Sequence, residues 1–208
     1  MPHAKSVTII TDNDMVDLEE PFKLFAAWFD KAKESEPNDP NAMNLATTTK
    51  DGRPSSRMVL LKDFDFEGFV FYTNLESKKG QVLAENNNVA LNFHWKSLRR
   101  QVRIEGAASP VTDAEADAYF QSRARGSRIG AWASEQSRPM EGMFVLERRV
   151  AEFTAKFGIG EVPRPAHWSG FRVDPSLIEF WSDGKFRLHE RIVYHRQGNG
   201  WTTERLFP

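Results

Sequence analysis

The sequence predicts a mainly β, α+β fold, an antiparallel barrel or sheet with peripheral helices. Three observations predict it. About seven short runs are rich in β-branched and aromatic residues. Turn signals separate several of them: Asp51-Gly52, Asp183-Gly184 and Gly198-Asn199-Gly200. The helical patterns are interspersed irregularly, without the strict strand-helix alternation of a parallel sheet. A chain of 208 residues that is 40% hydrophobic and 12% aromatic can bury a sizeable core. No repeat, low-complexity tract or long linker divides it, so the expectation is one domain over residues 19–208 after an N-terminal segment, 1–18.

Taken in order, Phe22, Phe25, Phe29 and Ala32 recur at three- and four-residue spacing from Glu19 to Ser35, which predicts an amphipathic helix stopped by Pro37 and Pro40. Met43 to Thr49 and Ser55 to Lys62 read as strands joined through Asp51-Gly52, followed by a strand over Phe69 to Thr73. A helix is expected from Ser77. Val89 to Trp95 and Arg99 to Ala107 form a further strand pair. Thr112-Asp113-Ala114-Glu115 is a capping box that opens a helix through Phe120, and Gly142 to Phe157 is again helical. The last third returns to strands at Trp168 to Val173, Leu177 to Trp181, Phe186 to Tyr194 and Trp201 to Leu206.

Composition excludes several function classes. Net charge is −1, from 28 basic and 29 acidic residues, so no global field recruits nucleic acid or an acidic membrane. Charge is clustered locally, however, with basic residues at Lys96 to Arg103 and Arg123 to Arg128. Without cysteine there are no disulfides, thiolate metal sites or Cys nucleophile. No secretory leader pattern or membrane-length apolar run is present, and the expected location is cytoplasmic. The five histidines lack metal-helix spacing, and the sequence carries no Gly-rich dinucleotide fingerprint, phosphate loop or Gly-x-Ser-x-Gly elbow. No metal site is expected.

Three segments carry candidate chemistry. In Phe186 to Ile192, Arg187, His189 and Arg191 alternate with other residues and read as one strand face, suited to an anionic, aromatic ligand or else simply solvated. In Thr73 to Gly80 a strand ends and Ser77 can cap a helix whose first turn holds Lys78 and Lys79. Cations there oppose the helix dipole unless a phosphate faces the free N–H groups and both ammoniums, with Arg57 nearby. The alternative is a pair of solvated surface lysines. Ser122 to Arg128 sets Arg123, Arg125 and Arg128 among small residues, as a phosphate-clasping loop or a plain basic loop would. Two anion sites beside Trp181 suggest a phosphorylated cofactor and a phosphorylated substrate.

From about Asp39 to Pro208 the chain resembles the pyridoxamine 5′-phosphate oxidase family. The resemblance is carried by Arg57 to Lys62, Phe71-Tyr72-Thr73-Asn74, Arg100-Gln101-Val102, Ser127 to Trp132, Glu135-Gln136-Ser137, Glu179-Phe180-Trp181 and Arg187 to Arg191. It implies an antiparallel split β-barrel that forms a homodimer, with FMN in two equivalent clefts lined by both subunits. It assigns FMN to Arg57, Met58, Val59, Leu60, Leu61, Lys62, Tyr72, Thr73, Lys78, Lys79, Gln101, Gln136, Ser137, Trp181 and Arg191. Substrate is assigned to Lys62, Tyr119, Arg123, Ser127, Arg187 and His189, the first four clasping its phosphate. Arg187 and His189 are the catalytic pair, placing the C4′ carbon against the flavin. Asp39 matches a further position near the site.

The implied reaction oxidises pyridoxamine or pyridoxine 5′-phosphate to pyridoxal 5′-phosphate, with O₂ reduced to H₂O₂. Two alternatives remain at this stage: a non-catalytic split-barrel carrier or sensor of FMN or pyridoxal phosphate, and a flavin reductase with a nicotinamide donor. The Arg187/His189 pair and the Arg123/Ser127 clasp favour the oxidase. Some members carry an Arg-rich lid with a Tyr before the first helix, where this chain has Met15 to Glu20.

Overall fold

The computed structural model describes residues 15–208; of the segment expected over 1–18, residues 1–14 lie outside the described residues. Ten strands are present: β1 (Val16–Asp17), β2 (Ala42–Thr48), β3 (Pro54–Leu60), β4 (Asp63–Asp65), β5 (Gly68–Asn74), β6 (Asn88–Trp95), β7 (Arg100–Pro110), β8 (Trp168–Ser182), β9 (Glu190–Gln197) and β10 (Gly200–Arg205). Five α-helices accompany them: α1 (Glu20–Ser35), α2 (Lys78–Glu85), α3 (Asp113–Ser122), α4 (Arg125–Ala133) and α5 (Val145–Phe157). Two compact units emerge, one from residues 15–41, 92–105 and 175–208, the other from 42–91 and 106–174. β6, β7 and β8 contribute residues to both.

In the first unit, α1 buries Phe22, Phe25, Phe29 and Ala32, the stripe that the spacing predicts. Phe25 packs edge-on against Phe93, with ring centroids 5.2 Å apart, and Phe22 against Trp201 at 6.3 Å. The helix ends at Glu36, whose extended backbone precedes Pro37 as proline sterics require. Buried indoles keep their N–H groups satisfied: Trp95 donates to the Pro40 carbonyl at 2.8 Å and Trp201 to Leu18 at 3.0 Å. β8, β9, β10 and β1 form an antiparallel meander, with Leu177 opposite His195 and Ser182 opposite Glu190.

The strand expected at Phe186 begins only at Glu190. Lys185–Arg187 is instead a single 3₁₀ turn in which Phe186 (φ 58°) and Arg187 (φ 64°) are left-handed. The chain folds back so tightly that a Cβ on Gly184 would lie 1.8 Å from the Leu188 carbonyl oxygen. Arg187 and His189 therefore belong to the β8–β9 connection, and the alternation that suggested a strand face is coincidental. A second correction concerns Trp168 to Val173 and Leu177 to Trp181, expected as two strands. They are one, because Pro175 falls between the β5 ladder (Trp168 to Val173) and the β9 ladder (Leu177 to Ser182), where neither needs its missing N–H.

The second unit is built on two hairpins. β2 and β3 pair from Ala42↔Leu60 to Thr48↔Pro54 around Gly52 (φ 84°), and β4 and β5 pair through Asp65↔Gly68. β5 is buried almost throughout and pairs with β8 from Phe69↔Val173 to Asn74↔Trp168. Thr112 caps α3 with both halves of the expected box in place. A core of Phe120, Ile129, Val162 and Trp168 lies beneath α3 and α4.

Candidate anion-binding site

Within the second unit, β3, the end of β5, the start of α2 and the α3–α4 segment enclose a cavity of about 810 Å³. Thirteen of the expected residues line it: Arg57, Met58, Val59, Leu60, Lys62, Tyr72, Thr73, Lys78, Lys79, Arg123, Ser127, Gln136 and Ser137. Ser134 and Trp168 line it too and were not anticipated. Tyr119 sits directly behind, stacked on Tyr72 with centroids 4.1 Å apart and 16° between planes, and Tyr72 stacks in turn on Trp168 at 5.2 Å. That slab requires Gly170, where a Cβ would stand 2.7 Å from the Tyr72 ring. Leu61 is buried in the core and does not line the cavity.

The local folding explains these positions. Ser77 accepts the Gly80 N–H at 3.3 Å and starts α2 at Lys78, as its sequence predicts. Lys79 donates to Ser77 Oγ at 3.2 Å and to Gln136 Oε1 at 2.8 Å, so α2 and the segment after α4 meet at the cavity wall. Arg57 is held within the β2–β3 hairpin, its guanidinium donating to Thr47 Oγ1 at 2.8 Å and Ser55 Oγ at 2.7 Å.

The electrostatics are one-sided. Arg57, Lys62, Lys78, Lys79 and Arg123 line the cavity, and no carboxylate does among the described residues. Burial, with Arg57 adding repulsion, lowers Lys79 to about 8, and burial lowers Arg57 and Arg123 below the usual guanidinium range. Arg123 lies 4.9 Å above the Trp168 ring, and its Nη1 is buried without a hydrogen-bond partner. Such an unsatisfied cationic donor calls for an anion. The clasp is narrower than its sequence suggests. Arg125 to Ala133 is helix α4, Arg125 donates to the Gly158 and Gly160 carbonyls, and Arg128 to Gln121. Only Arg123 and Ser127 of that segment's polar side chains reach the cavity.

A second recess, of about 560 Å³, lies in the first unit and is lined by Arg99, Asp183, Gly184, Lys185, Phe186, Arg187 and His189. The His189 ring packs on Trp181 at 4.7 Å, tilted by 41°. Arg191 does not share this recess. Its Nε donates to Glu179 Oε1 at 2.6 Å, and the same buried carboxylate takes Arg103 at 2.6 Å. Gln101 is half-buried on β7 and lines neither space. Sequence reasoning missed Asp183, read only as a turn residue, and Glu179, noted only within a resemblance segment.

Fold and cavity together define a split-barrel protein whose cationic pocket suits phosphorylated ring compounds. Residues 29–157 match the family model described as pyridoxamine 5′-phosphate oxidase, and 168–208 match the pyridoxine 5′-phosphate oxidase C-terminal dimerisation region. The chain is 60% identical over 206 residues to a pyridoxine/pyridoxamine 5′-phosphate oxidase of Caulobacter vibrioides, covering 99% of this chain and 93% of that one. It is 64% identical over 194 residues to the Rhodospirillum rubrum protein of the same name, covering 91% and 96%. The crystal structure of PhzG from Burkholderia lata 383, in complex with tetrahydrophenazine-1-carboxylic acid, superposes with a TM-score of 0.86 at 32% identity, covering 95% of this chain and all of that one. The chain belongs to the pyridoxamine 5′-phosphate oxidase family.

Proposed function

We propose that the chain is an FMN-dependent oxidase that converts pyridoxamine and pyridoxine 5′-phosphate to pyridoxal 5′-phosphate, working as a cytoplasmic homodimer with FMN at the subunit interface. The observation that carries the reading is the cavity with five cations and no carboxylate among the described residues. The residues present fit the cofactor: a partly buried ammonium at about 8, beside a capped helix N-terminus, suits the FMN phosphate. The orphaned Arg123 Nη1 suits a second phosphate, that of the substrate.

In this reading Arg57, Lys78 and Lys79 hold the FMN phosphate, and Lys62, Tyr119, Arg123 and Ser127 hold the substrate phosphate. Met58, Val59, Leu60, Leu61, Tyr72, Thr73, Gln101, Gln136, Ser137, Trp181 and Arg191 complete the cofactor's surroundings, Leu61 through its place in the chain next to Lys62. Arg187 and His189 orient the substrate ring so that its reacting carbon is presented in one geometry, an effect that can supply several kcal/mol of barrier reduction. Bound FMN supplies the hydride acceptor and, when reduced, the electrons that convert O₂ to H₂O₂. The segment matched as the dimerisation region contains Trp181, Arg187, His189 and Arg191, which supports a cofactor site shared between subunits.

The test is anaerobic addition of pyridoxamine 5′-phosphate to the purified yellow protein. Bleaching of the flavin and recovery of colour with H₂O₂ on admitting air are expected. A flavin that resists pyridoxamine and pyridoxine phosphates but bleaches with a nicotinamide donor overturns the proposal.

A further inference from the structure

We propose that Asp183 and Arg99 are positioning residues for His189: the Asp183 carboxylate, clamped by the Arg99 guanidinium, keeps the imidazole proton on Nδ1 and presents Nε2 to the substrate as a hydrogen-bond acceptor. The proposal rests on the oxidase reading for its substrate, but its geometry is independent of that reading.

Two groups compete for His189 Nδ1. Asp183 Oδ1 lies 3.1 Å away and the Gly184 N–H donates from 3.3 Å. They demand opposite proton placements. If Nδ1 is bare, the Gly184 contact is a weak hydrogen bond at the long end of the range, and a lone pair faces a carboxylate. If Nδ1 carries the proton, it donates a charge-assisted bond to Asp183, which is about twice as strong as a neutral one. The carboxylate wins, and Nε2 is left with its lone pair and no partner among the described residues.

The carboxylate itself is well fixed. Arg99 Nη2 is paired with Asp183 Oδ2, and the Asp183 N–H donates to the Arg99 carbonyl at 3.0 Å, so the β6–β7 and β8–β9 connections are tied at both backbone and side chain. Asp183 is 17% exposed and His189 20%, which limits competition from water. Other charges near the imidazole do not offer a rival acceptor. Lys185 and Arg187 line the same recess as cations, Glu190 is paired with Arg205 at 2.7 Å, and Arg191 with Glu179. Trp181 covers one ring face. Both substrates carry O–H or N–H donors on the reacting substituent, which an Nε2 acceptor could align.

Nitrogen-15 NMR of the full-length, FMN-loaded chain reads the tautomer directly at a pH where the imidazole is neutral, with His189→Asn assigning the signal. The Nδ1–H form is expected in the native chain. It should give way to Nε2–H in Asp183→Ala, where only the Gly184 N–H faces Nδ1. Anaerobic flavin reduction by saturating pyridoxamine 5′-phosphate should slow on the order of tenfold or more in Asp183→Ala and recover in part in Asp183→Glu, with FMN affinity unchanged. A native Nε2–H tautomer overturns the proposal, and so does an Asp183→Ala chain with native tautomer and native reduction rate. If Asp183→Ala does not fold, Arg99→Ala replaces it, and an unaltered tautomer and rate there remove the clamp. If the native flavin is not bleached at all, the oxidase reading fails, while the NMR result still judges the Asp183–His189 pair.

Discussion

Lys79 carries its full charge only below pH about 8. Its folded-state value is depressed below the ordinary 10.5, so between about 8 and 10.5 the unfolded chain binds more protons, and the stability of the FMN-free chain rises with pH through that window. Cofactor binding should run the other way. A phosphate that is a dianion at this pH needs the ammonium, so FMN affinity is expected to fall as pH rises through about 8, and Lys79→Met should flatten the profile. FMN titrations by fluorescence at fixed ionic strength check this; a flat native profile refutes it. The two-phosphate division is tested by a pair of variants. Lys79→Ala should weaken FMN binding more than substrate binding, and Arg123→Ala the reverse, each by roughly ten- to a hundredfold. Equal loss of FMN in both would merge the two sites. Arg187→Leu should keep its flavin spectrum and thermal stability yet lose on the order of 10²-fold or more in kcat/KM. Steady-state kinetics at defined O₂ decide. Glu179 behaves differently again: burial alone would raise its carboxyl, but hydrogen bonds from Arg191 and Arg103 outweigh burial and hold it below the usual range. Its contribution to stability is present above the ordinary glutamate value and is lost as pH falls through the folded one.

The elements that were legible in the sequence are those whose own residues settle them. α1 has a proline near its start, a buried stripe and prolines beyond its end; α2 has Ser77; α3 has a complete capping box. Where long-range contacts decide, local reading failed. β4 is only three residues long and exists because Gly68 turns it onto β5, its missing Cβ admitting the Val173 carbonyl. α4 begins at Arg125, its N-cap Ala124 offers no side-chain hydrogen bond, and it hides among small residues that read as loop. The Lys185–Arg187 turn cannot be read from alternation, since the close approach at Gly184 creates it. For the site, the cavity-lining lysines were legible because strand end, cap and paired lysines are contiguous, whereas the Glu179–Arg103 and Asp183–Arg99 pairs join positions far apart in the chain. Gly80 offers an element-scale test. A Cβ there would lie 2.2 Å from the Leu75 carbonyl oxygen, so Gly80→Ala should push α2 off the preceding turn, destabilise the chain by about 1–3 kcal/mol and weaken FMN binding with it. Thermal unfolding of the FMN-free variant and an FMN titration measure the two effects.

At the scale of the whole molecule, no helix among the described residues is long and apolar enough to cross a membrane, and the matched C-terminal region marks a homodimer. Light scattering should report the dimer mass, and absorbance about one FMN per chain. Free FMN at a hundred times its dissociation constant should stabilise the fold by about 2.7 kcal/mol, which for a chain of this size raises Tm by roughly 5–10 °C. An unchanged Tm would mean that the cavity is not the cofactor's.

Among the described residues β3 ends the order of hydrogen-bonded strands, pairing with β2, and it presents Met58, 61% exposed, and Leu60, 38% exposed, beside the cavity. An edge carrying apolar side chains and open backbone groups is a template for pairing with other chains, and Arg57 is the one charge within β3 that guards it. On the reading that FMN fills this cavity, the cofactor would cover Met58 and Leu60, and its supply would bear on colloidal behaviour as well as on turnover. Chains made faster than FMN can reach them should precipitate through this edge, and riboflavin-starved expression should shift the protein from the soluble to the insoluble fraction.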